Sequence, residues 1–425
     1  MLLGAPALVS AKPEQLTAAA KGDLLQRCFN KHYNSTPGVF EDFLRGFNTS
    51  LQLHTVLWSE KELEPPMSVT VFVGATMERL QALEAQCRSY PGPLSAAIYV
   101  PLLQQEDGED LTKENQDHIK KAASALKALF QRAEASPTYC ALTVQLLYEA
   151  VADPPLAAIV PINTLRNAAL LAATTPLVAL VDVDLAPSDS LGARVLKPGS
   201  DSLREITDGC EKRAVWVLPA WETHKRLSME EGTKVADQAL KGDKAQLRQF
   251  DEESRLHWFA KLAYRKGHAP TNFSRWLDAQ EPYDVAYDVN YEPWFIISRS
   301  MSPAYDVRFR GYGWNKVQQV AAVALSNFTF RVHPDAWLVH RPHAKSSGQA
   351  LYRHQDGGGG RKRTEETREW KGTSAPLSRL FHRRVSALRH VTIRDMKRGT
   401  YRPAVDPQVR HCRAVLPWWK GQGPT

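Results

Sequence analysis

A short apolar segment that ends in two aspartates, PLVALVDVDLAPS at residues 176–188, limits the folds open to this chain. The apolar run predicts a strand buried on both faces of a parallel sheet. Side chains alternate along a strand, so Asp182 and Asp184 should point the same way, with Val183 turned into the core. Adjacent carboxylates repel each other unless a divalent cation lies between them. The segment therefore predicts a metal site at the carboxyl end of a sheet strand, although ordinary turns also contain such acid pairs.

Strands and helices alternate along the first half of the chain. Apolar runs predict strands at 68–75, 96–103 and 139–147, and amphipathic stretches predict helices at 77–88 and 115–133. This order is typical of parallel βαβ units, and hence of an α/β fold. The glycine-rich fingerprints of dinucleotide-binding and P-loop enzymes do not occur, which disfavours both classes. Further along, strands are predicted at 214–222, 328–332 and 336–340, and helical structure at 225–265.

Polar side chains gather at the start of the helix that leads into the acid pair. Pro161 opens this helix at the position that proline prefers, and Asn163 and Arg166 follow. A helix start that faces the ligand edge of a sheet can bind a phosphate or a sugar. A solvated helix start with Arg166 in a surface ion pair explains the same residues, so both interpretations stay open.

Residues 266–316 are dense in Gly, Trp, Tyr, His and Asn, a composition typical of sugar-binding surfaces. Aromatic faces stack on pyranose rings, while amides and carboxylates bind the hydroxyl groups. Farther along, His340 follows an apolar run as Asp182 does, and a neutral imidazole is a suitable third ligand for manganese or a similar ion. At each single position, a core aromatic or a core histidine is the alternative.

The charge of the chain is unevenly distributed. Residues 346–425 contain 17 Lys and Arg against 6 Asp and Glu, a net of +11, so residues 1–345 carry −3 of the total of +8. The glycine run at 357–360 and the basic run at 361–363 predict a flexible, solvated tail. We therefore expect an N-terminal extension at 1–65, a single catalytic domain at 66–345 and a basic C-terminal tail at 346–425.

The cysteines and the targeting signals do not identify a function or a compartment. The five cysteines lack Cys-x-x-Cys spacing, so a zinc knuckle is not expected, and their odd number leaves at least one thiol free. Four Asn-x-Ser/Thr sequons, which begin at Asn34, Asn48, Asn272 and Asn327, are compatible with a secretory protein. No run of 18 apolar residues predicts a transmembrane helix, and the apolar start of the chain lacks the basic region of a signal peptide. Membrane association by other means stays open.

Seven blocks form one ordered series: PINTLRN at 161–167, LVDVDLAPS at 180–188, VLPAWE at 217–222, GHAPTNFSRW at 267–276, YEPW at 291–294, YDVRFRGYGWNK at 305–316 and LVHRPH at 338–343. The series closely resembles glycosyltransferase family 49, the LARGE-type and related β-glucuronyltransferases that act on dystroglycan glycans. The resemblance implies a GT-A fold with a Rossmann-like, mostly parallel sheet. It also implies metal-dependent, inverting transfer of a sugar, expected to be glucuronate, from a UDP-sugar to a glycan hydroxyl.

The family pattern assigns Asp182, Asp184 and His340 as ligands of Mn²⁺ or another divalent cation, the same residues that the local sequence singles out. Inversion by direct displacement also needs a general base opposite the leaving group. Asp306 and Glu292 are the candidates, with Asp306 slightly favoured. Either carboxylate has an alternative role, in holding acceptor hydroxyls or in an ion pair with Arg308 or Arg310.

Cations and glycines complete the predicted donor site. Arg166, Arg275 and Lys316 are expected near the diphosphate or the glucuronate carboxylate. Gly311 and Gly313 predict a tight loop whose backbone approaches a sugar. In full, the predicted cofactor-binding residues are Asn163, Arg166, Asp182, Val183, Asp184, Arg275, Gly311, Gly313, Asn315 and Lys316. Asn272 lies in the same series of blocks, so we expect it to carry no glycan.

The expected partners are a UDP-sugar donor and a glycan or glycoprotein acceptor, in the Golgi lumen or elsewhere in the secretory pathway. A catalytically inactive, glycan-binding member of the same fold is the main alternative. A nucleic-acid-binding protein that uses the basic tail is disfavoured, because the tail contains no recognisable RNA or DNA module. The residues alone also allow metal-dependent hydrolysis.

Overall fold

The computed structural model describes residues 16–31, 51–63, 66–103, 111–151, 154–353 and 374–420. A nine-stranded sheet forms the centre, and a four-stranded sheet adjoins the acid pair. The strands of these residues are β1 (Gln52–Leu57), β2 (Val69–Thr76), β3 (Pro93–Leu103), β4 (Ala141–Val151), β5 (Leu177–Leu180), β6 (Leu185–Pro187), β7 (Ala214–Leu218), β8 (Ala220–Thr223), β9 (Leu256–Trp258), β10 (Tyr283–Val285), β11 (Trp294–Ser298), β12 (Thr329–Val332) and β13 (Leu338–His340).

Helices flank both sheets. In the described residues the α-helices are α1 (Ala18–Lys31), α2 (Leu80–Ser89), α3 (Lys113–Ala135), α4 (Pro154–Ala157), α5 (Ile162–Leu171), α6 (Asp201–Glu211), α7 (Met229–Lys241), α8 (Lys244–Glu252), α9 (Arg265–His268), α10 (Phe273–Asp278), α11 (Asn315–Leu325), α12 (Ser347–Arg353), α13 (Ser374–Lys397) and α14 (Pro407–Val415). Short 3₁₀ turns at Met77–Arg79 and Ala269–Thr271 and a π turn at Leu191–Val195 accompany them. The strand β9 interrupts the region that was predicted to be helical between 225 and 265.

The nine-stranded sheet has the order β1-β4-β3-β2-β5-β11-β7-β12-β10. Strands β4, β3, β2 and β5 are parallel neighbours, which confirms the α/β fold. The sheet is mixed: β7 and β12 are a further parallel pair, whereas β11 inserts antiparallel between β5 and β7 and both edge strands are also antiparallel. An antiparallel neighbour needs no right-handed crossover, so the βαβ pattern of the first half does not fix the second half.

Alternating side chains of the central strands pack on opposite faces. On β2, Phe72 joins a core cluster with helix α5, whereas Val71 and Val73 join a cluster with helices α2 and α3. This burial on both faces explains the apolar runs in the sequence. Because both faces are covered, a ligand can reach this sheet only where its strands end.

The four-stranded sheet, with the order β6-β13-β8-β9, brings a distant histidine to the acid pair. Pro219 divides the predicted strand at 214–222 into β7 and β8, which belong to different sheets. Strand β13 then pairs with β6, so that His340 lies opposite Leu185. The backbone N–H of Arg341 donates to the carbonyl oxygen of Asp184 at 2.9 Å. The pairing of β6 with β13 therefore fixes His340 beside Asp184.

The described part of the C-terminal segment packs against the body. Phe381 and Val385 of α13 are buried, and so are Trp418 and Trp419 after α14. Both indole N–H groups donate to the carbonyl oxygen of Leu171, at 2.7 and 2.8 Å. The expectation of a flexible, solvated tail is therefore wrong for residues 374–420, because their apolar side chains are used for burial. The glycine-rich run at 357–360 and the basic run at 361–363 lie outside the described residues.

Two disulfides connect distant parts of the chain. Cys28 of α1 pairs with Cys412 of α14, and Cys87 of α2 pairs with Cys140, just before β4. Cys210 is a buried free thiol, whose pKa burial raises to about 12. Disulfides of this kind form in the secretory pathway. Within the described residues, no helix has both the length and the apolar character needed to cross a bilayer.

Candidate active site

Asp182 lies just beyond β5, among basic side chains. Its carboxylate accepts from Arg166 at 2.9 Å and from the indole N–H of Trp294 at 3.1 Å, and it lies 3.5 Å from the ammonium of Lys316. Burial alone would raise the pKa of Asp182, but the charges of Lys316 and Arg166, with the two hydrogen bonds, lower it to about 2. Asp182 is therefore ionised at neutral pH.

Arg166 links the start of α5 to the start of α11. The guanidinium of Arg166, which is 4% exposed, donates to the side-chain oxygens of Asn163 at 3.0 Å and Asn315 at 2.8 Å. Asn163 in turn donates to the backbone oxygen of Asp306 at 2.9 Å. The surface ion pair considered from the sequence is thus replaced by a buried network that connects three of the predicted donor-binding residues.

Glu292 also interacts with the charge of Lys316. The Lys316 ammonium is 3.4 Å from the centre of the Trp294 ring, and Oε1 of Glu292 is 3.4 Å from Nε2 of His268. Burial would raise the pKa of Glu292, but the charge of Lys316 and the contact with His268 lower it. Glu292 is therefore a partly buried but charged carboxylate in the same electrostatic neighbourhood as Asp182.

Asp184 faces two imidazoles. Asp184, His340 and His343 each place one possible ligand atom within 4.8 Å of the other two. Nε2 of His343 lies 3.3 Å from Oδ2 of Asp184 and 3.1 Å from Nε2 of His340. Burial, and then the charge of His343, lower the pKa of His340 to about 3, so its ring is neutral and able to bind a metal ion.

The donor set of this cluster fits a divalent cation. Oδ1 of Asp184 is buried without a hydrogen bond, and its nearest ion-pair partner, Nε of Arg79, is 3.7 Å away. Burial raises the pKa of Asp184, although the charges of His343 and Arg79 oppose the rise. One carboxylate and two imidazoles suit manganese, zinc and related ions. Asp182 was predicted to share in this site, but its two oxygens contact Arg166, Trp294 and Lys316.

The carboxylate of Asp306 is occupied by structural contacts. Arg308 donates to both of its oxygens, with a shortest distance of 2.6 Å, and the hydroxyl of Tyr401 donates at 2.9 Å. The Asp306 side chain is only 1% exposed. The structure therefore favours the ion-pair alternative that the sequence left open for this residue.

The glycine loop and Arg275 contact protein groups. Gly311 has φ +73° and Gly313 has φ +97°, and a Cβ atom would lie 2.7 Å from Phe381 at the first position and 2.8 Å from Tyr352 at the second. Close approach to α12 and α13 accounts for both glycines, so the sugar contact inferred from them is not needed. Arg275 lies on α10 with its guanidinium 4.1 Å from the centre of the Tyr283 ring.

Sequence reasoning missed His343, although the block LVHRPH contains it. It lies three positions after His340, and the intervening Arg341 and Pro342 leave both imidazoles beside one carboxylate. That spacing was the available signal. Tyr401 had no comparable signal, because it reaches Asp306 from the C-terminal segment.

Comparisons with known proteins identify a family and several relatives of this chain. Residues 68–366 match the family described as glycosyl-transferase for dystroglycan. The xylosyl- and glucuronyltransferase LARGE2 of Mus musculus is 33% identical over 289 residues, which cover 68% of this chain and 36% of the relative. LARGE1 of Danio rerio is 31% identical over 289 residues, covering 67% of this chain and 33% of the relative. The chain thus spans about a third of the length of these relatives.

Solved structures give a remote likeness only. The crystal structure of S. aureus TarS residues 1–349 in complex with UDP-GlcNAc is 11% identical to this chain, with a TM-score of 0.33. The match covers 67% of this chain and 61% of that one. So low a score does not bear on the function of this chain.

Proposed function

The chain belongs to the family of glycosyltransferases for dystroglycan, and we propose that it is a metal-dependent, inverting glycosyltransferase. It would transfer a sugar from a UDP-sugar to a hydroxyl of a glycan on a glycoprotein or polysaccharide. The observation that carries this proposal is the pair of clusters at the end of β5. One offers the metal ligands Asp184, His340 and His343, and the other surrounds Asp182 with cations.

In this proposal Asp184, His340 and His343 hold the cation. Asp182 remains a predicted ligand, and it would share its carboxylate between the cation and Arg166. When bound, a divalent cation such as Mn²⁺ supplies Lewis-acid stabilisation of the charge that develops on the departing diphosphate. The chain itself supplies neutral imidazole at His340 and a buried carboxylate at Asp184 whose Oδ1 has no hydrogen-bond donor.

Arg166 and Lys316 supply fixed positive charge beside the metal ligands. Both are largely buried, so their side chains are held in place before a donor binds. A planar guanidinium suits a diphosphate or a sugar carboxylate, which is why glucuronate is the donor sugar we favour. The names of the relatives include both xylosyl and glucuronyl transfer, so xylose is the second donor to test.

Glu292 is the general base that we propose. It is charged and lies near Lys316 and His268, whereas the carboxylate of Asp306 is bound by Arg308 and Tyr401. A base must accept the proton of the acceptor hydroxyl, and this requires an oxygen that internal donors have not already filled. In Glu292 the side chain retains 19% exposure, which leaves room for that contact.

Titration calorimetry tests the donor site directly. UDP, UDP-glucuronate and UDP-xylose are titrated into the chain with Mn²⁺ and with EDTA, beside the variant Asp184→Asn. Metal-dependent binding that the variant loses supports the proposal and ranks the donors. If no nucleotide binds under either condition, the transferase proposal is wrong and the catalytically inactive alternative takes its place. The Golgi lumen is the compartment we propose, in keeping with the two disulfides.

A further inference from the structure

A cavity of about 440 Å³ opens between α8, β9 and α10, separate from the metal cluster. Its volume is within the range of small-molecule sites. Trp258, Phe273, Asn272, Ser274 and Arg265 are among the residues that line it. Nothing in the proposed donor chemistry uses this cavity.

An aromatic wall forms one side of the cavity. The rings of Trp258 and Phe273 stack at 5.2 Å with an angle of 12° between their planes, and Trp221 packs edge-on against Phe273 at 5.5 Å. Trp258 is only partly buried, unlike the fully buried Trp221. A partly buried indole in a concave site is the usual platform for the apolar face of a pyranose ring.

The charges that line the cavity balance. Three basic and three acidic side chains take part, and two pairs neutralise each other: Arg248 with Asp278 at 2.5 Å, and Lys261 with Asp251 at 3.5 Å. The third acid is Glu252, which is exposed, as is the third base. A balanced site of this kind does not select a strongly charged ligand, whereas it offers donors and acceptors to a neutral, hydroxyl-rich one.

One short stretch of chain links the cavity to the proposed active site. Trp258 lines the cavity, and the next residue, Phe259, contacts His340 and Trp294 at ring distances of 5.1 and 5.0 Å. The backbone N–H of Ala260 donates to Glu222 at 2.9 Å, which holds this stretch in place. A cavity-lining residue and a residue that contacts the metal cluster are therefore neighbours in the chain.

We propose that this cavity is a secondary saccharide site that binds a neutral sugar unit of the acceptor glycan, away from the reacting hydroxyl. The assignment to an acceptor rests on the proposed function, but saccharide binding itself does not. Trp258 supplies the stacking surface, and Asn272, Ser274, Glu252 and Arg265 supply polar contacts around it.

The sequon at Asn272 provides an internal check. Asn272 is exposed, lines the cavity and caps α10 by accepting from the N–H of Arg275 at 3.2 Å. A glycan attached to this asparagine would occupy the space proposed for the acceptor. The site therefore requires Asn272 to be unmodified. Peptide mass spectrometry of the chain expressed through the secretory pathway of a eukaryotic cell, if it showed full occupancy there, would overturn the proposal.

The binding test uses the full chain and neutral β-linked disaccharides, namely xylobiose, cellobiose and lactose. Saturation-transfer NMR and calorimetry measure their binding in EDTA without nucleotide, so that the donor site does not contribute. We expect at least one probe to bind, and Trp258→Ala to weaken it about tenfold, the size expected for loss of one ring stack. The variant Arg265→Ala changes an exposed cavity residue and should weaken binding less. Trp58→Ala removes a partly buried indole elsewhere and should leave binding unchanged.

Titration of UDP with Mn²⁺ is run on every variant as a check of folding and of the donor site. Lost disaccharide binding with retained UDP binding in Trp258→Ala supports the secondary site. If no probe binds to the wild type, or if Trp258→Ala and Arg265→Ala both bind as the wild type does, the inference is wrong. Disaccharide binding without UDP binding would instead keep the saccharide site and refute the transferase proposal.

Discussion

Glu292 and Asp306 both lie in loops rich in aromatic residues, yet their surroundings give them different uses. Glu292 belongs to the metal side, by which we mean Asp182, Asp184, His340, His343 and the residues around Lys316. Asp306 belongs to the C-terminal side, where Arg308, Tyr401, helix α13 and the segment that leads into α14 pack against the loop before α11. Their side chains are 19% and 1% exposed, respectively.

The difference shows that the contacts of a carboxylate, more than its sequence context, decide whether it is available for chemistry. Asp306 receives hydrogen bonds from a guanidinium and from a tyrosine hydroxyl, so a proton would have to displace a bound donor. The Oε1 atom of Glu292 lies 3.4 Å from Nε2 of His268, and the charge of Lys316 acts on this carboxylate. If this distinction is correct, changes on the metal side alter turnover, and changes on the C-terminal side alter stability.

Asp184→Asn should have the largest effect. It removes the carboxylate that Asp184 contributes beside His340 and His343, so we expect turnover to fall about a thousandfold, in line with several kcal/mol from Lewis-acid catalysis. Initial rates with UDP-glucuronate and a glycan acceptor measure the change. Asp189→Asn makes the same substitution on an exposed residue nearby and should leave rates unchanged. If turnover of Asp184→Asn stays within about tenfold of the wild type, the metal side does not carry the catalytic step.

Glu292→Gln and Asp306→Asn test the comparison most directly. We expect Glu292→Gln to lower kcat by about 10² to 10³ while metal-dependent UDP binding persists, because only the proton acceptor is lost. Asp306→Asn should keep kcat within about tenfold and lower the free energy of unfolding by about 1–3 kcal/mol, since its charged hydrogen bonds are weakened. Rates and thermal unfolding are measured on both. The reverse pattern would show Asp306 to be the base.

The local sequence predicts part of this molecule well. Strand β5, helix α5 and the position of His340 at the end of a strand all follow from patterns within a few residues. The acid pair was expected side by side on a strand, but Asp182 and Asp184 lie between β5 and β6 and face different partners. Apolar runs, proline at a helix start and alternation along a strand depend on short-range physics. These elements were predicted close to their observed bounds.

Contacts between distant segments were not predictable in this way. The bond between Tyr401 and Asp306 joins residues 95 positions apart, and the Cys28–Cys412 disulfide joins residues 384 apart. The basic composition of the C-terminal segment concealed an apolar stripe that includes Phe381 and Val385. Composition averages over both faces of a helix, so the segment was predicted to be solvated although one face is buried.

The pH dependence of stability in Asp406→Asn tests the structural role of the C-terminal side. Oδ2 of Asp406 is buried without a hydrogen bond, and burial raises the pKa of this carboxyl to about 6. The folded state therefore binds the proton more tightly than the unfolded state, whose pKa is near 3.8. Stability from this group is fully present below about pH 4 and is lost as pH rises through about 6.

We expect Asp406→Asn not to lose this stability as pH rises. Relative to the wild type, its free energy of unfolding should rise by about 2–3 kcal/mol between pH 4 and pH 7. Urea unfolding at several pH values measures the difference, and Asp395→Asn, at a partly exposed position of α13, is the matched control. Parallel curves for wild type and Asp406→Asn would mean that this carboxyl does not titrate in the window. Turnover at pH 7 should be the same in both proteins.

His343→Ala should have the smallest effect on turnover. It tests whether His343 binds the cation or only lies beside the ligands of the metal side. If His343 binds the cation, its loss leaves Asp184 and His340, and we expect the dissociation constant for Mn²⁺ to rise about tenfold to a hundredfold. With saturating metal, kcat should recover, because the remaining ligands still place the cation. His390→Ala, an exposed histidine of α13, is the control. Unchanged Mn²⁺ affinity would assign His343 to a purely electrostatic role beside His340, and Asp182 would then be the ligand that completes the site.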